Sequence, residues 1–294
     1  MRQDKSRVAA LSCWQGAVEP IALDGGITNV NFTVKDGADK FVVRVGDDIP
    51  RHQVMRFNER AASVAAHKAG LSPEIIYSEP GILVMRFIEG RTLGAEDIAQ
   101  PEMLKRIIPL LKTCHQTIPK YLTGPALIFW VFHVLRDYAH TLRADNSSHG
   151  DKLERLAEIA GDLEARVGAI NIVYGHNDLL AANFIDDGKR LWLIDWDYAG
   201  FNSPLFDLAN LASNNEFTRE LESSMLEQYF DTPPDADTWQ RFGAMKCASL
   251  LRETMWSMVS EIHSDLDFDF ASYTQENLER FERTYADYIQ ETNS

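Results

Sequence analysis

Between Tyr174 and Phe184 the chain reads YGHNDLLAANF, which places a His, an Asp and an Asn (His176, Asp178 and Asn183) within eight positions. LWLIDWD follows at 191–197 and carries two acids, Asp195 and Asp197. The segment between, NFIDDGKRLWLID, has an Asp-Gly turn signal flanked by apolar runs and predicts a tight β-hairpin. Pairing about that turn sets Asn183 beside Ile194, one residue from Asp195. The two ends of the hairpin thus bring together two oxygen donors. Such a pair suits Mg²⁺, a hard cation that keeps room for waters and phosphates. Asp178, on the loop just before, is a separate carboxylate that could accept a proton from an alcohol.

The elements that must position these groups fall into two parts. Residues 1 to about 20 are expected to be helical. LDGGITNVNFTVKDGADKFVVRV then gives two β-rich runs about a polar turn. QVMRFNERAASVAAHKAG has helical apolar spacing and ends in Gly70, and PEIIYSEPGILVMRFIEG gives two more strands about a Pro-Gly turn. The first ~90 residues therefore predict a small antiparallel sheet with one long helix packed on it. From residue 97 to 170 the pattern is mostly helical. The ten-residue run ALIFWVFHVL (126–135) is too short to span a bilayer and is expected to be a buried helix. After the β insert at about 173–195 the chain returns to helices. The fold class expected is α+β and bilobal, with residues 1–88 as one lobe, residues 89–294 as a larger helical lobe, and a cleft between them.

Composition narrows the partners. A chain of 294 residues can bury a full core, and 45% hydrophobic with 25% charged residues is ordinary for a globular protein. With 29 basic against 44 acidic residues the net charge is −15, which argues against nucleic acid as the main partner and is compatible with a cationic small substrate. Cys13, Cys114 and Cys247 are far apart and lack metal spacing, so reduced thiols are expected. The N-terminal stretch has charges spread through it, and neither a membrane partner nor an export signal is expected. A cytoplasmic location follows as the expectation. Glu261, Asp265, Asp267 and Asp269 form an acidic stretch that reads as a solvated loop.

HNDLLAAN followed by LIDWD resembles the HxDxxxxN catalytic loop and metal-binding Asp of the protein-kinase-like phosphotransferases. The longer run IDWDYAGFNSPLFDLANL resembles the choline/ethanolamine kinase family, part of the branch related to aminoglycoside phosphotransferases. That family shows Ile-Asp-Phe-Glu-Tyr-Ala; here Trp196 and Asp197 replace the Phe and Glu, and Asp207 keeps a later Asp. The resemblance implies a kinase using ATP (or GTP) and Mg. In it Asp178 is the base, Asn183 and Asp195 hold the metal, His176 holds the catalytic loop and Asp207 buttresses it. GGITNVNF, with Gly25, Gly26 and Asn29, resembles the nucleotide loop. Arg44 stands where a phosphate-holding basic residue is expected, with Glu59 as its partner. Met85 and Phe87, in MRFIEG, fall in the hinge that meets adenine. In the acceptor site the family carries two Trp three residues apart and a later Tyr. Trp256 and Tyr273 match the second Trp and the Tyr, Phe217 falls near another aromatic position, and Glu253 replaces the first Trp. Asp197 is also expected near the acceptor. The implied substrate is a small cationic alcohol: choline, ethanolamine, thiamine or an aminoglycoside all stay open, as does a catalytically inactive nucleotide-binding module. So does the oligomeric state, a dimer being one option.

Overall fold

The computed structural model describes residues 2–23, 29–264 and 266–292. The chain opens with α1 (Arg2–Ala9), then β1 (Ile21–Leu23), β2 (Val30–Asp36), β3 (Asp39–Val45), α2 (Arg56–Lys68), β4 (Ile75–Glu79) and β5 (Ile82–Arg86). These strands form one antiparallel sheet in the order β1-β2-β3-β5-β4. The β2–β3 turn is set by Gly37, whose φ of 62° a side chain would disfavour. Helix α1 is shorter than the expected ~20 residues. It ends at Ala9 ahead of Gly16 and Pro20, and the Trp14 indole N–H donates to the Val8 carbonyl near its end.

The small sheet has its own core. Val8 and Leu11 from the N-terminal segment pack with Phe32, Val34, Val43 and Val84. Helix α2 does not belong to it. Its buried alanines, Ala62, Ala65 and Ala66, join the large core of the helical part. The helix also meets the sheet as expected, at β4 and through the Glu59–Arg44 pair (2.7 Å), so it bridges the two cores. An alanine face lets the α2 backbone approach the larger part closely, while Glu59 and Ser63 are left facing the cleft.

The larger part contains β6 (Arg91–Thr92), α3 (Ala95–Ile98), α4 (Pro101–Thr117), α5 (Val131–Ala144), α6 (Leu153–Val167), β7 (Val173–Gly175), β8 (Phe184–Asp186), β9 (Leu191–Leu193) and β10 (Gly200–Asn202). Four helices follow: α7 (Pro204–Asn214), α8 (Arg219–Phe230), α9 (Ala236–His263) and α10 (Phe270–Thr292). Asp269 caps α10 by accepting from the Ser272 N–H (3.0 Å), so one member of the acidic stretch has a local structural task. The run 126–135 divides. Its helix starts only at Val131. Ile128, expected to be buried, is 72% exposed and bridges Phe201, with the Phe129 N–H bonded to the Phe201 carbonyl. No helix among the described residues is long and apolar enough to cross a membrane. All three cysteines are free.

Two short ladders position the chemistry. β7 pairs β10 (Tyr174 opposite Phe201), and β8 pairs β9 (Phe184 opposite Leu193). The loop 176–183 runs from the end of the first ladder to the start of the second. Asp195 and Asp197 lie on the return path between β9 and β10.

Candidate active site

The hairpin forms as its turn chemistry demands. Gly188 takes φ 83°, and the Asp187 carboxylate accepts from the Lys189 and Arg190 N–H groups at 2.8 Å each. One step beyond the ladder, the Ile194 N–H donates to the Asn183 carbonyl at 3.0 Å, which fixes Asn183 next to Asp195. The Asn183 amide nitrogen donates to the Asp178 carbonyl (2.8 Å), so its oxygen is the atom left for a ligand. Asp195 has φ 67°, uncommon for a residue with a side chain. Such backbone is often kept where a side chain must be aimed.

The loop before the hairpin is held from beneath. Asp207 is 1% exposed, and its carboxylate accepts from the backbone N–H groups of His176 (2.8 Å) and Asn177 (2.7 Å) and pairs with the His115 ring (2.9 Å). Asn177, at φ 66°, donates its amide to the Tyr198 carbonyl (2.9 Å). Both His176 ring nitrogens are spent on backbone: Nε2 faces the Ile194 carbonyl (2.9 Å) and Nδ1 accepts from the Asp178 N–H (3.3 Å). Burial lowers its pKa, so the ring is neutral, and His176 lies outside the cavity lining.

A cavity of about 580 Å³ runs between the two parts. It is lined by Arg44, Glu59, Met85 and Phe87 on the nucleotide side expected from the sequence. Asp178, Asn183, Asp195 and Asp197 also line it, as do Glu253, Trp256 and Tyr273, which were expected to meet the acceptor. Burial and the carboxylates of Glu253, Asp195 and Asp197 outweigh Arg252 and raise the Asp178 pKa to about 7. That suits a group that must take a proton near neutrality.

Arg44 is the hub of an ion cluster. Its guanidinium contacts Glu59 (2.7 Å), Asp195 (2.8 Å) and Asp197 (3.0 Å), and Arg56 adds contacts to Glu59 (2.8 Å) and Asp197 (2.9 Å). Burial works to raise Asp195, but Arg44 outweighs it and holds the carboxyl below its ordinary range. Burial pushes Asp197 up to about 7. Asp197 faces this cluster and the Asn29 amide (3.2 Å). Asn183 and Asp195 make an all-oxygen donor pair that fits Mg²⁺ completed by phosphate and water. Among the described residues no group of three or more His, Cys, Asp or Glu could hold a metal by itself.

At the end of the cavity where the acceptor is expected, the Glu253 carboxylate accepts from the Tyr273 hydroxyl (2.8 Å) and from Arg252 (3.0 Å). The Trp256 indole N–H donates to the Tyr198 hydroxyl (3.0 Å). Phe217, expected here, lies elsewhere. It is buried in the helical core, its N–H bonded to the Ala212 carbonyl at the end of α7, and it does not line the cavity. Gly25 and Gly26 lie outside the described residues, as does Asp265. Three residues at the site were not singled out from sequence: Arg56, Tyr198 and Arg252. Arg56 carried a local signal in its spacing three residues before Glu59, and Tyr198 in its place as the Tyr of the Ile-Asp-Phe-Glu-Tyr-Ala motif, whereas Arg252 carried none.

The fold is shared along nearly the whole chain with solved structures. A choline/ethanolamine kinase family protein from Mesorhizobium loti is similar with TM-score 0.77 and 26% identity, covering 97% of this chain and 93% of that one. A spectinomycin phosphotransferase has the same fold at TM-score 0.65 and 12% identity, covering 97% and 98%. Fold and cleft define a protein-kinase-like phosphotransferase. More narrowly, the family model for choline/ethanolamine kinase matches residues 20–242, and ethanolamine kinase 2 of Mus musculus is 26% identical over 280 residues (84% of this chain, 71% of the relative). The chain belongs to the choline/ethanolamine kinase family, whose acceptor is an alcohol group.

Proposed function

We propose that this kinase moves the γ-phosphoryl group of ATP to the hydroxyl of a small amino alcohol, with Mg²⁺ at Asn183 and Asp195. The observation that carries this reading is one cavity that brings together Asp178, the Arg44–Asp195 pair and the Glu253–Trp256–Tyr273 wall. A transferring phosphoryl group spreads charge over its oxygens, so alignment and neutralisation supply most of the catalysis. Asp178 takes the hydroxyl proton. Mg²⁺, when bound, neutralises phosphate charge. Arg44 steadies the phosphates, which compete with Asp195 for its guanidinium. His176 holds the loop through its two backbone contacts, and Asp207 holds it from below.

Glu253 bears on the acceptor. A quaternary ammonium has no N–H and is usually held by aromatic faces, and here a carboxylate stands where a further face would be. A carboxylate offers about four lone-pair sites, and Tyr273 and Arg252 use two. Glu253 thus supports an acceptor with N–H donors, and we read ethanolamine ahead of choline. An ADP-release assay over ethanolamine, choline, thiamine and kanamycin, with ATP and GTP, tests the reading. No turnover with any acceptor, together with no binding of Mg-nucleotide, would overturn it, and turnover of kanamycin alone would remove the amino-alcohol assignment.

Two substitutions sharpen the acceptor. Glu253→Gln should raise the KM for ethanolamine by about tenfold, the loss of a charge-assisted hydrogen bond, and change the choline KM less. Equal changes for both would count against an N–H contact at Glu253. Trp256→Leu should raise the acceptor KM far more than the ATP KM in steady-state titrations. An unchanged acceptor KM would remove Trp256 from the wall.

A further inference from the structure

The catalytic loop from Asp178 to Asn183, DLLAAN, contains no basic residue. Charge on the group in transfer must nevertheless be neutralised at the point of transfer. Among the described residues, three cations line the cavity: Arg44, Arg86 and Arg252. Arg86 lies at the rim, 47% exposed, and holds Glu74 (2.9 Å) and Asp39 (3.3 Å). Arg44 is shared among three carboxylates. Arg252 is different. Its side chain is 3% exposed, and its Nη1 lies 3.7 Å from Asp178 Oδ1 and 3.0 Å from Glu253. The guanidinium carbon lies 4.3 Å from the centre of the Tyr198 ring, which supports one face. The other two nitrogens, Nε and Nη2, are buried with no hydrogen-bond partner.

Leaving buried guanidinium donors unpaired is costly, so a cation kept in the cavity lining in this way is suited to a further acceptor. The geometry of transfer says which. The attacking hydroxyl must lie within about 2.6–3.2 Å of Asp178, and the phosphorus about 3–3.5 Å beyond that oxygen. Phosphoryl oxygens then arrive beside Arg252, which already pairs with the base. Burial alone would lower the Arg252 pKa, but Tyr198, Glu253, Tyr138 and Asp178 outweigh it and keep the group a cation.

We propose that Arg252 is a further catalytic residue, which reaches from α9 to hold the oxygens of the phosphoryl group as it passes to the acceptor. This rests on the reading of Asp178 as the base. The acceptor oxygen bonds to the γ-phosphorus as the bond from phosphorus to the bridging oxygen breaks. The bridging oxygen leaves with the electron pair as ADP, and the hydroxyl proton passes to Asp178. Arg252 takes no part in the proton transfer. It stabilises the charge on the three non-bridging oxygens with a planar fork of donors suited to that shape.

The test is calorimetric binding of MgADP, and of MgADP with fluoroaluminate, which mimics the group in transfer, to the full chain and its Arg252→Met and Arg252→Lys variants. Arg252→Met should bind MgADP within about threefold of the parent, bind the fluoroaluminate complex about 10²–10³-fold more weakly, and lose kcat by a similar factor. Arg252→Lys should recover part of both, since it keeps the charge and loses the fork. It also serves where the Met variant fails to fold. Fluoroaluminate binding unchanged by both substitutions would overturn the proposal. So would equal weakening of MgADP and its fluoroaluminate complex, which marks a structural role, or a loss confined to acceptor affinity, which assigns Arg252 to the acceptor instead. These measurements need no turnover, so failure to phosphorylate any amino alcohol would strike the proposed function separately.

Discussion

Asp178→Asn should lower kcat by about 10²–10⁴, the usual contribution of a positioned general base, while the KM for ATP stays nearly unchanged. The substitution is close to isosteric. The backbone contacts of Asp178, its N–H to the His176 ring and its carbonyl to the Asn183 amide, do not involve the side chain. The loop and the donor pair at Asn183 and Asp195 should therefore keep their geometry, and only the proton acceptor is lost. Arg252, 3.7 Å away, would face a neutral amide, which does not hold a proton-accepting charge. Steady-state kinetics with ethanolamine and a thermal melt check the result. A variant with normal kcat would remove Asp178 from the reaction, and one with lowered melting temperature and raised ATP KM would show that the loop itself had moved.

The parts of this site legible in the sequence are those fixed by short-range rules. The β8–β9 hairpin followed from one Asp-Gly pair between apolar runs, because turn chemistry sets register over a few residues. Once the register is known, the neighbourhood of Asn183 and Asp195 is a consequence of pairing alone. Helix α2 shows the limit of such rules. Its period announced a helix, yet alanine is small on whichever surface it meets, so the pattern was silent on which core would receive Ala62, Ala65 and Ala66. The run 126–135 failed for a related reason. A short apolar run does not tell strand from helix, and the deciding partner, Phe201, lies more than seventy residues away.

Charge clusters were legible pairwise and not as a network. Arg44 and Glu59 were expected together, and they meet at 2.7 Å. That the same guanidinium also holds Asp195 and Asp197 depends on contacts spanning 151 and 153 residues, which no local pattern encodes. Arg252 was the hardest to see. An arginine within RETMW on a helix is ordinarily solvated, and only its burial against Tyr198 and Asp178 sets it apart. Phe217 shows the converse, since an aromatic at a plausible position serves the end of a helix instead.

Asp207 is where fold and chemistry depend on one side chain, and its loss should be the largest single effect on stability. Its carboxylate meets two successive backbone N–H groups and the His115 ring, all out of water. Asp207→Ala leaves those donors without an acceptor and should cost about 3–5 kcal/mol, since each buried donor left unpaired costs about 1–3 kcal/mol. Asp207→Asn keeps one acceptor oxygen and should cost less. The pH dependence follows from the direction of its shift. Burial works to raise the Asp207 pKa, but the His115 contact and the backbone N–H of His176 outweigh it and hold the carboxyl below its ordinary value of 3.8. A group with a depressed folded-state pKa contributes stability above its unfolded pKa and loses it as pH falls through the folded value. The difference in urea midpoint between the parent and Asp207→Asn should therefore be constant above about pH 5 and shrink below about pH 4. A difference that instead widens on acidification would mean that Asp207 is protonated in the folded chain, and the loop carrying Asp178 would then lack its charged support.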